Sequence, residues 1–173
     1  MLNFEKINDE VLYSTDPITR TDDDDIRQLV SMALDNPRRR IRLCAHPDTD
    51  DTLHEMLIVH CRGNYVPPHR HRAKSESFHM IEGALTVVIF EDDGAVAEVI
   101  PMAPRGGDGV FFYRLSDCRY HTVVPTTDFV VFHEITNGPF QREDMEFAPW
   151  APGEDAPPPA QREFVDDLTR RYF

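Results

Sequence analysis

Basic residues are scarce in this chain of 173 residues: 18 lysines and arginines stand against 31 aspartates and glutamates, a formal net charge of −13. Such a surface repels a phosphate backbone, which argues against a nucleic-acid partner and equally against an anionic membrane surface. Long apolar runs are missing too; none nears the roughly 20 residues of a spanning helix. The opening MLNFEKINDE lacks a basic stretch followed by an apolar one, so no secretory leader is expected and the reading is a soluble, cytoplasmic protein. Cysteine is sparse. Cys44, Cys61 and Cys118 are an odd number without zinc-pair spacing and read as three reduced thiols. What is present is a composition 40% hydrophobic and 28% charged, enough for one packed domain, and eight histidines crowded towards the middle.

Three stretches differ in pattern. Residues 1–40 read as an N-terminal helical extension. Within it, residues 21–36 form an amphipathic helix, with Thr21 as N-cap, Asp24 three residues on, and Ile26, Leu29, Val30, Ala33 and Leu34 in one stripe. Asn36-Pro37 stops it. The basic run Arg38, Arg39, Arg40 and Arg42 reads as a solvated turn and strand edge. Residues 41–140 are a succession of short β-like runs: IRLCAH, HEMLIVH, SESFHMI, LTVVIFE, AVAEVI, VFFYRL, YHTVV and FVVFHEI. Turn residues separate them, Asp92-Asp93-Gly94 as a tight hairpin, and no helix intervenes, so the fold class is an all-β sandwich or barrel. Residues 141–173 are proline-rich and read as an extended tail over the surface, with a short terminal helix in QREFVDDLTRRYF. Trp150 in FAPWAP would pin that tail to the barrel.

The chemistry lies in GNYVPPHRHRAKSESFHMIEG, residues 63–83. His69 and His71 are two apart and share one face of an extended strand, and Glu76 follows after a connection long enough to bring its carboxylate beside them. Two imidazoles and a carboxylate from neighbouring strands form a half-shell for a divalent transition metal. By the same alternation Arg70 and Arg72 face away, and His79 points opposite to Glu76. His46, His54, His60 and His133 read as structural, and Cys118 as a small turn residue.

Gly63, His69, His71, Glu76 and Gly83 meet every position of G-x5-H-x-H-x3,4-E-x6-G, and the stretch resembles the first motif of the cupin superfamily. The second cupin motif supplies one more histidine, for which His121 in RYHTVV is the match. Around it Cys118 and Ser116 replace the usual glycine and proline, Pro125 replaces an asparagine, and Gly109 is one residue out of register. The strings PPHRH, KSESFH, VVIFEDDG, VVPTTDFVVFHE, GPF and FAPWAP further resemble the WbuC family of cupin-fold metalloproteins, over roughly residues 5–152.

These resemblances imply a cupin double-stranded β-helix, a jelly-roll barrel, with one divalent ion (zinc, iron, manganese or nickel) held by His69, His71, Glu76 and His121. Three neutral imidazoles and one carboxylate leave open coordination positions, the mark of a catalytic metal. The WbuC resemblance implies a role in bacterial surface-polysaccharide (O-antigen) biosynthesis. The expected function is a metal-dependent enzyme, an isomerase, epimerase or oxygenase, acting on a small anionic or carbohydrate-derived substrate. The alternative is a non-catalytic metal-dependent sugar or small-molecule binding module. Lys74 and Arg119 are the candidate substrate contacts, and a homodimer is the candidate assembly.

Overall fold

The computed structural model describes residues 2–173. Two strands, β1 (Phe4–Lys6) and β2 (Val11–Ser14), precede helix α1 (Asp23–Asp35). The barrel strands follow: β3 (Arg40–Cys44), β4 (Leu53–Cys61), β5 (His69–His71), β6 (Glu76–Glu82), β7 (Leu85–Phe90), β8 (Val96–Met102), β9 (Phe112–Leu115), β10 (Tyr120–Pro125) and β11 (Phe129–Asn137). A 3-10 turn at Arg142–Asp144, strand β12 (Met145–Phe147) and helix α2 (Pro158–Tyr172) complete the chain. Every one of the eight β-like runs is a strand. The strands missed, β1, β2, β5 and β12, are three or four residues each, too short for alternation to register.

The strands form two sheets, ordered β1-β2-β3-β4-β11-β6-β9 and β12-β5-β10-β7-β8. All pairings between named strands are antiparallel except β2 with β3. The sheets face each other across a core in which Met56 and Ile58 from β4, Phe78 and Met80 from β6, and Phe132 from β11 meet Val87 and Ile89 from β7 and Val123 from β10. Alternation sends the intervening residues outward. On that outer face Val59, Cys61 and Val131 are covered by Leu29 and Ala33 of α1. Leu29 has no exposed surface, and its burial is worth about 1.5–3 kcal/mol.

Three expectations are corrected in detail. The helix is capped by Asp22, not Thr21. The Asp22 side chain accepts from the backbone N–H groups of Asp24 and Asp25, and the Asp25 carboxylate accepts from the Asp22 N–H. Either residue type can cap; the reciprocal bond to the residue at the third helical position decides between them. The basic run is not simply solvated: Arg38 and Arg40 both pair with Glu10 and Glu154, joining β3 to the N-terminal strands and the C-terminal segment. The tail is extended only as far as Pro157. There the prolines that suggested an extended chain open α2 instead, because the first helical positions need no N–H and favour proline's fixed φ.

The C-terminal segment is held by a third apolar cluster, in which Val88, Phe90 and Tyr120 of the barrel meet Ala148 and Leu168, with Trp150 and Phe164 against them. Trp150 packs on Phe90 with ring centroids 4.9 Å apart and donates its indole N–H to the Asp92 carbonyl at 3.1 Å. Gly94 in the β7–β8 hairpin has φ +90°, and a Cβ there would lie 2.9 Å from the Trp150 ring. The anchor role read for Trp150 agrees with this packing.

Candidate metal centre

Strand β5 is only three residues long, yet it places both of its histidines. It lies between β10 and β12, with His69 directly opposite His121 on one side and Phe147 on the other. Alternation turns His69 and His71 to one face and Arg70 to the other, where its guanidinium lies 4.4 Å from the centre of the Tyr120 ring and bonds Glu146 at 2.8 Å. The chain then passes to the other sheet through residues 72–75, with Ala73 in the left-handed region at φ +56°. That crossing starts β6 at Glu76, so the carboxylate reaches the imidazoles from the opposing sheet.

The ligand atoms of His69, His71 and His121 all lie within 4.8 Å of one another. Glu76 Oε1 is 3.0 Å from His121 Nε2, and Glu76 Oε2 is 3.5 Å from His71 Nε2. Backbone carbonyls orient two of the rings: His69 Nδ1 lies 2.9 Å from the Pro67 carbonyl and His121 Nδ1 lies 3.0 Å from that of Arg119. A carbonyl can only accept, so each Nδ1 carries the proton and each Nε2 presents its lone pair to the cluster. His121 and Glu76 are 1% and 3% exposed, and His121 Nε2 and Glu76 Oε1 are buried without a hydrogen bond of acceptable geometry. Leaving such atoms unsatisfied costs about 1–3 kcal/mol each. Lone pairs converging from three nitrogens and one carboxylate fit a divalent cation.

The electrostatics of the metal-free cluster agree. Burial pushes His69 down to about 3, helped by the neighbouring imidazoles of His121 and His71. Burial raises Glu76, but the facing His121, His71 and His69 outweigh it and hold the carboxyl well below its usual range. Burial lowers His121, yet the Glu76 carboxylate prevails and raises it. The Glu76 carboxylate therefore favours positive charge at the point where the imidazoles converge.

His69 and His71 form part of the wall of a cavity of about 500 Å³. Glu134, which drew no attention in the sequence, and His60, read there as structural, line it as well. His60 of β4 is pushed down to about 3 by burial, and Glu134 of β11 is raised to about 7 by burial and by the nearby Glu76 charge. Glu134 sits in FVVFHEI at inward parity with Val130 and Phe132. That signal was readable, had the facing of β11 been known.

Other candidates are placed elsewhere. Lys74 bonds the Pro139 carbonyl at 2.6 Å and pairs with Asp144 at 3.3 Å, and Arg119 pairs with Glu91 at 2.7 Å; neither lines the cavity. Arg119 has the parity of His121 but precedes β10, where alternation no longer governs it. Arg72 also turns away, to Glu146. His79 and His133 oppose each other across β6 and β11, outside the cluster, and His46 stacks on His54 with centroids 4.1 Å apart. Cys118 is exposed, whereas Cys44 and Cys61 are buried, all three as free thiols. A larger cleft, about 1030 Å³, lies against α2 and contains none of the three clustered histidines.

Two facing antiparallel sheets, with imidazoles from two neighbouring strands of one and a carboxylate from the other, are what the first-motif resemblance implies. The chain has the cupin fold. A family model described as a domain of unknown function, DUF6016, matches residues 21–102 of this chain. No curated protein matches it. Solved structures similar to it include a protein of Shewanella oneidensis, at 13% identity and TM-score 0.48, over 60% of this chain and 66% of that one. The cupin domain of Cnp3 from Schizosaccharomyces pombe matches at 11% identity and TM-score 0.45, over 57% and 64% of the two chains. Oxalate decarboxylase of Bacillus subtilis, which has Mn(II) centres, matches at 18% identity and TM-score 0.43, over 56% of this chain and 24% of that one. The chain thus spans from about a quarter to just under two thirds of these neighbours. Among the described residues no helix is long and apolar enough to cross a membrane.

Proposed function

We propose that this cupin is a metal-dependent enzyme that binds a small anionic or carbohydrate-derived molecule in the mouth of its barrel. One observation carries the reading: buried, unsatisfied ligand atoms of His121 and Glu76 converge with His69 and His71 at the wall of an open cavity of about 500 Å³. A closed structural site would have no such opening.

His69, His71, His121 and Glu76 would hold the ion. When bound, it would supply Lewis-acid polarisation of a substrate oxygen. The chain's own groups do the rest. The Pro67 and Arg119 carbonyls keep the His69 and His121 rings aimed inward by accepting from Nδ1. Apolar walls, Val66 and Phe147 among them, limit water at the cluster. Glu134, held near neutrality, can take or return a proton at its carboxylate, which suits proton-shifting chemistry such as isomerisation or epimerisation. Surface-polysaccharide biosynthesis is the setting that the WbuC resemblance implies. The second reading, a metal-dependent binding module, shares the same cavity and differs only in turnover.

The test is metal content followed by turnover. Purified protein is expected to hold about one equivalent of transition metal and to convert a nucleotide sugar or sugar phosphate only when loaded. Saturable binding without product would favour the module. Protein that takes up no zinc, manganese, iron or nickel would overturn both readings.

A further inference from the structure

The histidine cavity is lined by two arginines that make no ion pair among the described residues. Three arginines line it, Arg40, Arg42 and Arg142. Arg40 is committed, its guanidinium 2.7 Å from Glu10 and 3.2 Å from Glu154, and Arg38 pairs with the same two carboxylates. The acidic side chains at the mouth are therefore matched by those two arginines. Arg42, on β3, and Arg142, in the turn before β12, approach from different elements. Among the described residues neither has a carboxylate within the 4.0 Å of an ion pair. Glu134 is the remaining acid on the wall and makes no ion pair with either. In a chain of net charge −13, two guanidiniums without an ion pair are available to an anion beside the histidine cluster. Low-dielectric walls concentrate their field on whatever enters.

We infer that Arg42 and Arg142 are a clamp for an anionic group, a phosphate or a carboxylate, on a small ligand whose other end reaches the histidine cluster. The inference rests on reading the barrel mouth as the ligand site, and it replaces Lys74 and Arg119 as the substrate contacts. Guanidinium forks match both anions bidentately, and two of them lining one cavity from separate elements would fix a ligand's orientation as well as its affinity. A cavity of about 500 Å³ suits a molecule the size of a sugar phosphate or a short dicarboxylic acid.

Calorimetric titration of the zinc-loaded full chain with glycerol 3-phosphate and with malonate tests the clamp and separates phosphate from carboxylate. The parent is expected to bind at least one of them. Arg42→Gln and Arg142→Gln should each weaken binding about tenfold or more, and the double variant should abolish it. Lys74→Gln and Arg119→Gln should bind as the parent does. Both clamp residues are exposed, so circular dichroism should be unchanged in their variants. The same titrations in His71→Ala keep the clamp testable if the metal reading fails: anion binding there should be weaker, and Arg42→Gln on that background should weaken it about tenfold further. A parent that binds neither anion, or a double variant that binds as tightly as the parent, overturns the proposal.

Discussion

His121 Nε2 and Glu76 Oε1 lie 3.0 Å apart, both buried, and neither has a well-aligned hydrogen bond. One atom comes from each sheet, so the pair spans the barrel where the two sheets face each other. Glu76→Gln keeps the shape and removes the cluster's only negative charge. Zinc affinity, read by competition with a chelator, is expected to fall about tenfold or more, with the fold retained. Affinity equal to the parent's would remove Glu76 from the site.

Metal affinity should also depend on pH, with a definite sign. Glu76 raises His121 in the metal-free protein, so binding must displace a proton there. Zinc affinity should fall steadily between about pH 7.5 and about pH 5.5. An affinity that stays flat across that range would exclude the histidines as ligands.

The stability of the metal-free protein follows from groups with opposite signs. His60 and His69, each pushed down to about 3 from 6.5, contribute stability above the unfolded value that is lost as pH falls. Glu134, raised from 4.5 to about 7, contributes stability below its unfolded value that is lost as pH rises through about 7; the raised His121 acts in the same direction above 6.5. Between 4.5 and 6.5 the unfolded chain binds more protons at four groups, His60, His69 and the also lowered His46 and His133, and fewer at Glu134, so stability rises with pH; above 6.5 it declines. Below 4.5 the lowered Glu76 and Glu146 add to the loss. Urea unfolding of chelator-treated protein should peak near about pH 6.5. A peak near pH 9 or pH 4 would contradict the assigned environments.

His71→Ala separates metal binding from folding. The ring is part-exposed to the cavity and belongs to none of the apolar clusters. The variant should lose most metal and all metal-dependent activity while keeping its β-rich circular dichroism. Its Tm should fall by only a few degrees, from loss of the bound ion. Unfolded protein would make the metal structural.

Trp150→Ala should release the C-terminal helix. The side chain joins Phe90, Tyr120 and Phe164, and its loss should cost about 3 kcal/mol, near the low end for a tryptophan because it is not fully buried. Limited proteolysis should then cut between the barrel and α2 while the barrel survives. Protection equal to the parent's would show that other contacts hold the segment.

Much of this molecule was legible in the order of its residues. Short apolar or alternating runs bounded by turn residues made eight strands readable, whether one face is buried, as in β4, or both, as in β7 and β10, because those preferences are local. The spacing of His69, His71 and Glu76 made a half-shell readable for the same reason: neighbours two apart on a strand share a face wherever it packs. Asp22 against Thr21 was a local choice, but the reciprocal Asp25 bond settled it only once the turn had formed. Other features were decided by tertiary structure. Pairing of β3, β4 and β11 within one sheet sets Arg42, His60 and Glu134 side by side, and the turn before β12 of the facing sheet adds Arg142 to the same cavity. Lys74 and Arg119 sit next to ligand histidines in sequence yet are drawn away by the Pro139 carbonyl, Asp144 and Glu91. Sequence determines which side of its own strand a residue takes; which strands face each other, and so which charges stay unpaired, depends on packing between elements that alternation does not encode.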